Sequence, residues 1–224
     1  MDFENVYLQA MSIIKNITSL KKNLPSKVEL VAVSKTKPIE DLETAYIAGQ
    51  RIFGENKIQE MVSKWEQLPK DIQWHMIGHV QTNKVKFMAP FVDLIHAVDS
   101  LKLLKEIQKQ ALNNNRIIKC LLQIRIAKEE TKFGFPAEEI DSLIETSKSL
   151  PNIAITGLMG MASFTEDKQQ VRKEFMSLAT LFNKFTDLHK GCEILSMGMS
   201  GDYQIAIEEG SNMIRVGSKI FGER

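Results

Sequence analysis

Short apolar runs alternate along the chain with longer stretches in which apolar residues recur every three to four positions, the pattern of strands separated by helices. Eight runs read as strands: Val28–Ser34, Arg51–Phe53, Gln73–Ile77, Leu94–Ala97, Lys119–Ile124, Ala154–Leu158, Glu193–Ser196 and Met213–Val216. Runs such as LVAV and KCLLQI are almost continuously apolar, as expected for parallel strands covered on both faces. Helical spacing covers Glu40–Ala48, Lys57–Glu66, Thr82–Pro90, Leu101–Leu112, Pro136–Lys148, Lys168–His189 and a short stretch near Asp202–Glu209. A further helix, at about residues 3–23, precedes the first strand. Ser100 is placed to cap the helix at Leu101, Pro136 with Glu138 and Glu139 suits a first turn, and Gly49 and Gly210 fit positions just past helix ends.

Eight such repeats predict one (β/α)8 TIM-type barrel over residues 1–224 with an extra N-terminal helix. About 250 residues are typical of that fold, so this barrel is lean, and the N-terminal helix is a candidate to close its outer ring. A doubly wound open sheet is the alternative. Composition narrows the picture. Hydrophobic residues at 43% and charged residues at 25% exclude a disordered or collagenous chain. The net charge of +1 gives no global footprint for nucleic acid or an anionic membrane, and no apolar window is long enough to span a bilayer. Two cysteines, Cys120 and Cys192, are too few for a disulfide framework and fit a reducing compartment. A cytoplasmic protein, monomeric, is the expectation.

Barrel active sites gather at the C-terminal ends of the strands, which directs attention to Ser34-Lys35-Thr36-Lys37, Gly54-Glu55-Asn56, Gly78-His79, Asp99-Ser100, SMGMSGD and RVGS. A lysine at such an end, as Lys35 is, can attack a carbonyl to form a Schiff base. Position alone favours a solvent-facing lysine that begins a loop, and Lys37 competes on chemistry. Ser196–Asp202 and Arg215–Ser218 carry small residues where barrel enzymes often hold phosphate through backbone N–H groups, though glycines also simply make tight turns. His75, His79, His96 and His189 offer no HExxH spacing, so no metal is expected. Trp65 and Trp74 read as packing.

The motifs LVAVSKTKP (30–38), FGENKIQE (53–60), WHMIGHVQTNK (74–84), HAVDS (96–100), KFGF (132–135), GLMGM (157–161), LSMGMSGDYQIAIEEG (195–210) and IRVGSKIFGER (214–224) span nearly the whole chain in order. On these the sequence resembles the pyridoxal 5′-phosphate (PLP) homeostasis proteins, whose fold is like the barrel domain of alanine racemase. The resemblance implies that Lys35 carries PLP as a Schiff base. It implies that Ser200 and the backbone amides of Gly217 and Ser218 hold the phosphate, that Arg215 faces the pyridine nitrogen, and that Asn56 lines the pocket. Two departures fall at Arg125, where relatives commonly have asparagine, and at GLMGMAS, where a GLMTI-type run ending in proline is more usual.

The function so implied is carriage and homeostasis of PLP without dedicated turnover, with PLP-dependent apo-enzymes as partners. A racemase-like PLP enzyme is the alternative, and a class I aldolase-like barrel a third. Racemisation needs acid/base groups on both faces of the substrate Cα, and none of Tyr7, Tyr46 or Tyr203 is placed by the pattern over a cofactor.

Overall fold

The computed structural model describes residues 3–127 and 133–223; Lys132 of the KFGF motif lies outside them. Helix α1 (Phe3–Asn23) leads into β1 (Glu29–Val33), α2 (Ile39–Ile47), β2 (Ile52–Glu55), α3 (Ile58–Gln67), β3 (Gln73–Met76), the short α4 (Val85–Met88), β4 (Leu94–Val98) and α5 (Leu101–Asn113). The second half follows with β5 (Ile118–Ile124), α6 (Ile140–Ser147), β6 (Ile153–Gly160), α7 (Lys168–Leu188), β7 (Ile194–Ser196), α8 (Tyr203–Glu208), β8 (Met213–Val216) and α9 (Ser218–Phe221). All neighbouring strands pair in parallel, and β8 returns to β1 through Glu29↔Met213 to Ala32↔Val216, so the sheet is a closed barrel rather than an open one.

Alternation along each strand divides the buried residues. One set, including Ala32, Phe53, Trp74, Ile95 and Leu122, meets the helices. A smaller set, Val31, Leu94, Ala97, Leu121, Met159 and Met213, fills the barrel axis. Burial of apolar surface between these layers is the dominant favourable contribution to folding.

Helix α1 buries Ile13 and Ile17. Its Asn16 and Gln9 side chains donate to the Ile220 and Phe221 carbonyls at 3.0 and 3.2 Å, which fastens it beside the four-residue α9, as the lean ring required. Ser100 caps α5, its hydroxyl accepting from Leu103 N at 3.3 Å, and Gly49 and Gly210 close α2 and α8 at φ +84° and +101°. Three local readings are corrected. Thr82–Pro90 is a 3-10 turn, Thr82–Lys84, followed by a single helical turn, because only Val85 and Met88 of these seven residues are buried. Pro136 precedes a separate 3-10 turn, Ala137–Glu139, with α6 starting at Ile140. Gly54 and Glu55 belong to β2 instead of following it.

Candidate functional site

At the C-terminal mouth of the barrel, Lys35, Asn56, Ser200, Arg215, Gly217 and Ser218 all line one cavity of about 380 Å³. That volume lies within the range of about 300–1,000 Å³ usual for small-molecule sites. The strand-end rule alone placed Lys35, Asn56 and the two small-residue segments at this mouth. It did not find the apolar wall, which is Val33, Ile77, Met161, Phe164 and Met199. Lys37 and Glu223 complete the rim, with the Lys37 ammonium donating to the Phe221 and Gly222 carbonyls at 3.0 and 3.3 Å.

Lys35 lies one residue beyond β1, after Ser34, and is half-buried. Its neighbours hold it there. Thr36 has φ +65°, a conformation costly for a β-branched residue, and its N–H donates to Glu60 Oε1 at 2.5 Å. On the other side, the Ser34 hydroxyl donates to Glu55 Oε1 at 2.7 Å. The Lys64 ammonium joins both flanks, donating to the Ser34 carbonyl at 2.8 Å, to Glu55 at 2.8 Å and to Glu60 at 2.7 Å. Ser34 and Glu55 are fully buried and Lys64 nearly so. Burial pushes the Glu55 carboxyl upward against the opposing pull of Lys64 and Ser34, and its Oε2 is buried without a hydrogen-bond partner among the described residues. No local pattern announced this cluster; the only sequence signal is the i, i+4 spacing of Glu60 and Lys64.

Asn56 is set by close approach. A Cβ at Gly78 would come within 2.6 Å of the Asn56 carbonyl oxygen, so the loop after β3 can brace the loop after β2 only without a side chain there.

Across the mouth, the turn after β7 is fixed by Asp202, whose carboxylate accepts from Met199 N at 2.5 Å. It presents Ser200, whose hydroxyl oxygen accepts from Gly217 N at 3.2 Å, leaving the O–H able to donate into the cavity. A Cβ at Gly217 would sit 3.1 Å from the Val33 carbonyl, which keeps this backbone bare beside β1. Arg215, on an inward position of β8, is buried beneath them. Its guanidinium donates to the Ser196 hydroxyl at 2.6 Å, the Ser196 carbonyl at 2.9 Å and the Gly160 carbonyl at 3.0 Å. Burial brings it down to about 10, against the pull of Asp202, so it remains a cation at neutral pH.

The mouth thus joins an amine, a hydroxyl and bare backbone suited to a phosphate, and a buried cation between them. This donor set fits a phosphorylated aldehyde such as PLP. Among the described residues no three His, Cys, Asp or Glu side chains come together as a metal site, and no helix is long and apolar enough to cross a membrane. Cys120 and Cys192 are free thiols, and burial pushes Cys192 up to about 11 and Cys120 higher.

Residues 8–224 match the alanine racemase N-terminal domain family. The pyridoxal phosphate homeostasis protein of Aquifex aeolicus is 40% identical over 198 residues, covering 88% of this chain and 87% of that protein. The structure of PipY from Synechococcus elongatus with PLP bound superposes with a TM-score of 0.86 at 33% identity, covering 94% of this chain and all of that one. The alanine racemase of E. faecalis shares the fold, with a TM-score of 0.76 at 16% identity, and this chain covers 58% of it.

Proposed function

Because the chain belongs to the pyridoxal phosphate homeostasis protein family, we propose that it binds PLP at the barrel mouth and holds it covalently on Lys35, for carriage rather than turnover. The observation that carries this reading is the convergence of Lys35, Ser200, Gly217, Ser218, Asn56 and Arg215 on one cavity. When bound, the cofactor supplies an electrophilic aldehyde and a ring that can act as an electron sink. The chain's own groups then have distinct tasks. The Lys35 amine is the nucleophile and anchor. The Ser200 hydroxyl and the amide of Ser218 hold the phosphate, joined by the Gly217 amide when it exchanges its bond to the Ser200 oxygen for one to the phosphate. Asn56 lines the wall. The Arg215 cation faces the ring nitrogen and, by like-charge disfavour, keeps a proton off it, which weakens the sink that turnover would exploit.

Carriage is also favoured over a racemase-like activity by what lines the cavity. Racemisation needs an acid/base group on each face of the substrate Cα. Besides Lys35 and Arg215, the titratable groups of the described wall are Lys37, whose ammonium is committed to the carbonyls closing α9, and Glu223. Tyr46 is engaged with Asp71 on the outer surface, and Tyr7 is exposed on α1. In this reading the chain works as a cytoplasmic monomer that passes PLP to PLP-dependent apo-enzymes.

Borohydride reduction of the PLP-loaded chain, followed by peptide mapping, tests the anchor. The pyridoxyl group is expected on Lys35; a label chiefly on Lys37 or Lys132 overturns the assignment. Incubating the loaded chain with single L-amino acids in D2O tests carriage. Slow Cα exchange without product is expected, whereas racemisation at about 1 s⁻¹ or faster, within the usual enzyme range, makes the chain an enzyme.

A further inference from the structure

The barrel axis is not uniformly apolar. His75 on β3, His96 on β4, Ser196 on β7 and Arg215 on β8 are all almost completely buried, and their side chains meet end to end. Arg215 Nη1 lies 2.6 Å from Ser196 Oγ, Ser196 Oγ 3.0 Å from His96 Nδ1, and His96 Nε2 3.0 Å from His75 Nδ1. His75 Nε2 then faces Asp93 Oδ2 at 3.6 Å. Asp93 borders a second cavity, of about 540 Å³, at the opposite mouth. The line therefore runs the length of the barrel, from the candidate cofactor cavity to the other end.

The direction of this line follows from donor chemistry. A guanidinium can only donate, which makes the Ser196 oxygen an acceptor, and the Asp93 carboxylate at the other end can only accept; with both rings neutral these two ends together point the Ser196 proton to His96 Nδ1. With Nδ1 accepting, a neutral His96 carries its proton on Nε2 and donates to His75 Nδ1. His75 in turn carries its proton on Nε2, toward the Asp93 carboxylate. Every N–H and O–H points away from Arg215. Charging His75 would set its Nδ1–H against the Nε2–H of His96, and charging His96 would set its Nδ1–H against the Ser196 O–H.

We propose that Ser196, His96 and His75 are positioning residues for Arg215, forming a one-way hydrogen-bond relay that fixes the guanidinium under the cofactor cavity and whose far end faces Asp93 electrostatically at the opposite mouth. The role toward the ring nitrogen rests on the PLP reading; the polarity of the relay does not. The groups facing it agree with neutral rings. Around His75 stand Asp93, Glu29, Lys119 and His96, and burial outweighs the two carboxylates in lowering its proton affinity. Around His96 stand His75 and Arg215, and burial with both neighbours acts in the same direction.

The polarity can be measured without cofactor. Long-range ¹H–¹⁵N correlation NMR of the intact ¹⁵N-histidine-labelled chain at pH 7.5, assigned with His75→Gln and His96→Gln, is expected to show both rings neutral with the proton on Nε2. An Nδ1–H tautomer or an imidazolium at either position overturns the relay. The positioning role is read on the PLP-loaded chain from the ¹⁵N shift of labelled cofactor as pH is lowered. Ser196→Ala and His96→Leu are expected to raise the ring-nitrogen midpoint by roughly one unit, a tenfold change in proton affinity, through a loosened guanidinium. His96→Gln, whose amide can accept from Ser196 and donate to His75, is expected to restore the wild-type midpoint. Folded Ser196→Ala and His96→Leu chains with unchanged midpoints, or a Gln variant no better than Leu, overturn the positioning role. A wild-type chain that takes up no PLP instead overturns the cofactor reading and its ring-nitrogen role, while the cofactor-free tautomers still decide the relay.

Discussion

Ser200 and Lys64 show how differently two polar residues serve one lysine. Ser200 stands at the cavity and its O–H can donate inward, the other bond at its oxygen being taken by Gly217 N. A hydrogen bond to a charged partner contributes about 1.5–3 kcal/mol, so Ser200→Ala is expected to weaken PLP binding roughly ten- to a hundredfold while barely affecting pyridoxal, which lacks the phosphate. Equilibrium titration with both ligands checks this, and equal losses would place the phosphate elsewhere. Lys64 touches no ligand position. It neutralises the buried Glu55 and ties down both flanks of Lys35. Removing one partner of a buried pair typically costs about 3–5 kcal/mol, and Lys64→Met is expected to lose that much in denaturant melts and to slow labelling of Lys35 even where the chain remains folded. Lys35→Ala is the contrasting case. A half-buried side chain at the mouth contributes little packing, so the melt is expected to hold while the borohydride label disappears.

Among the elements, most of the barrel is legible in the chain because each strand must bury both faces and each helix one stripe, which leaves a strong alternating signature. What stayed hidden had specific causes. β6 extends from Ile153 to Gly160, beyond the apolar run Ala154–Leu158, and pairs with β5 on both sides of the irregularity between Ile155 and Gly157. α4 is a single turn because its segment offers two buried residues and no capping side chain. The site was legible to the extent that function sits at strand ends: Lys35 and the small-residue segments follow from topology, whereas the particular roles of Asn56, Arg215 and Ser200 came from family resemblance. The Glu55–Lys64 cluster and the axial relay were not legible at all. They join side chains by direction into a shared interior, in one case a hundred residues apart, and no local spacing encodes that. The bracing of Asn56 by the loop after β3 is testable at this scale. Gly78→Ala puts a methyl group 2.6 Å from backbone, and is expected to displace Asn56 and weaken PLP binding more than it lowers the melting temperature.

For the whole molecule, the axial histidines set a limit on acid tolerance. His75 and His96 both have proton affinities lowered by burial, below the ordinary histidine value of 6.5. The unfolded chain therefore binds protons that the folded chain refuses, starting near pH 6.5. Their contribution to stability is fully present above that pH and is lost progressively as pH falls toward the folded-state values. Chemical denaturation between pH 8 and 5 is expected to show this loss, and the double variant His75→Gln/His96→Gln a flatter profile. Closure of the barrel sets a limit of another kind, in time. Lys35 follows the first strand, Arg215 lies on the last, and the two edges meet only when β8 pairs with β1. At about 5–20 residues per second, a ribosome exposes Lys35 roughly ten to forty seconds before Ser218. During that interval the nascent chain has an unpaired edge on β1 and no cavity, so PLP cannot assist the early steps of folding and can only select chains already finished. Ribosome-stalled chains that stop before β8 are expected to take no borohydride-fixed label on Lys35, and the same chains to take it once elongation resumes.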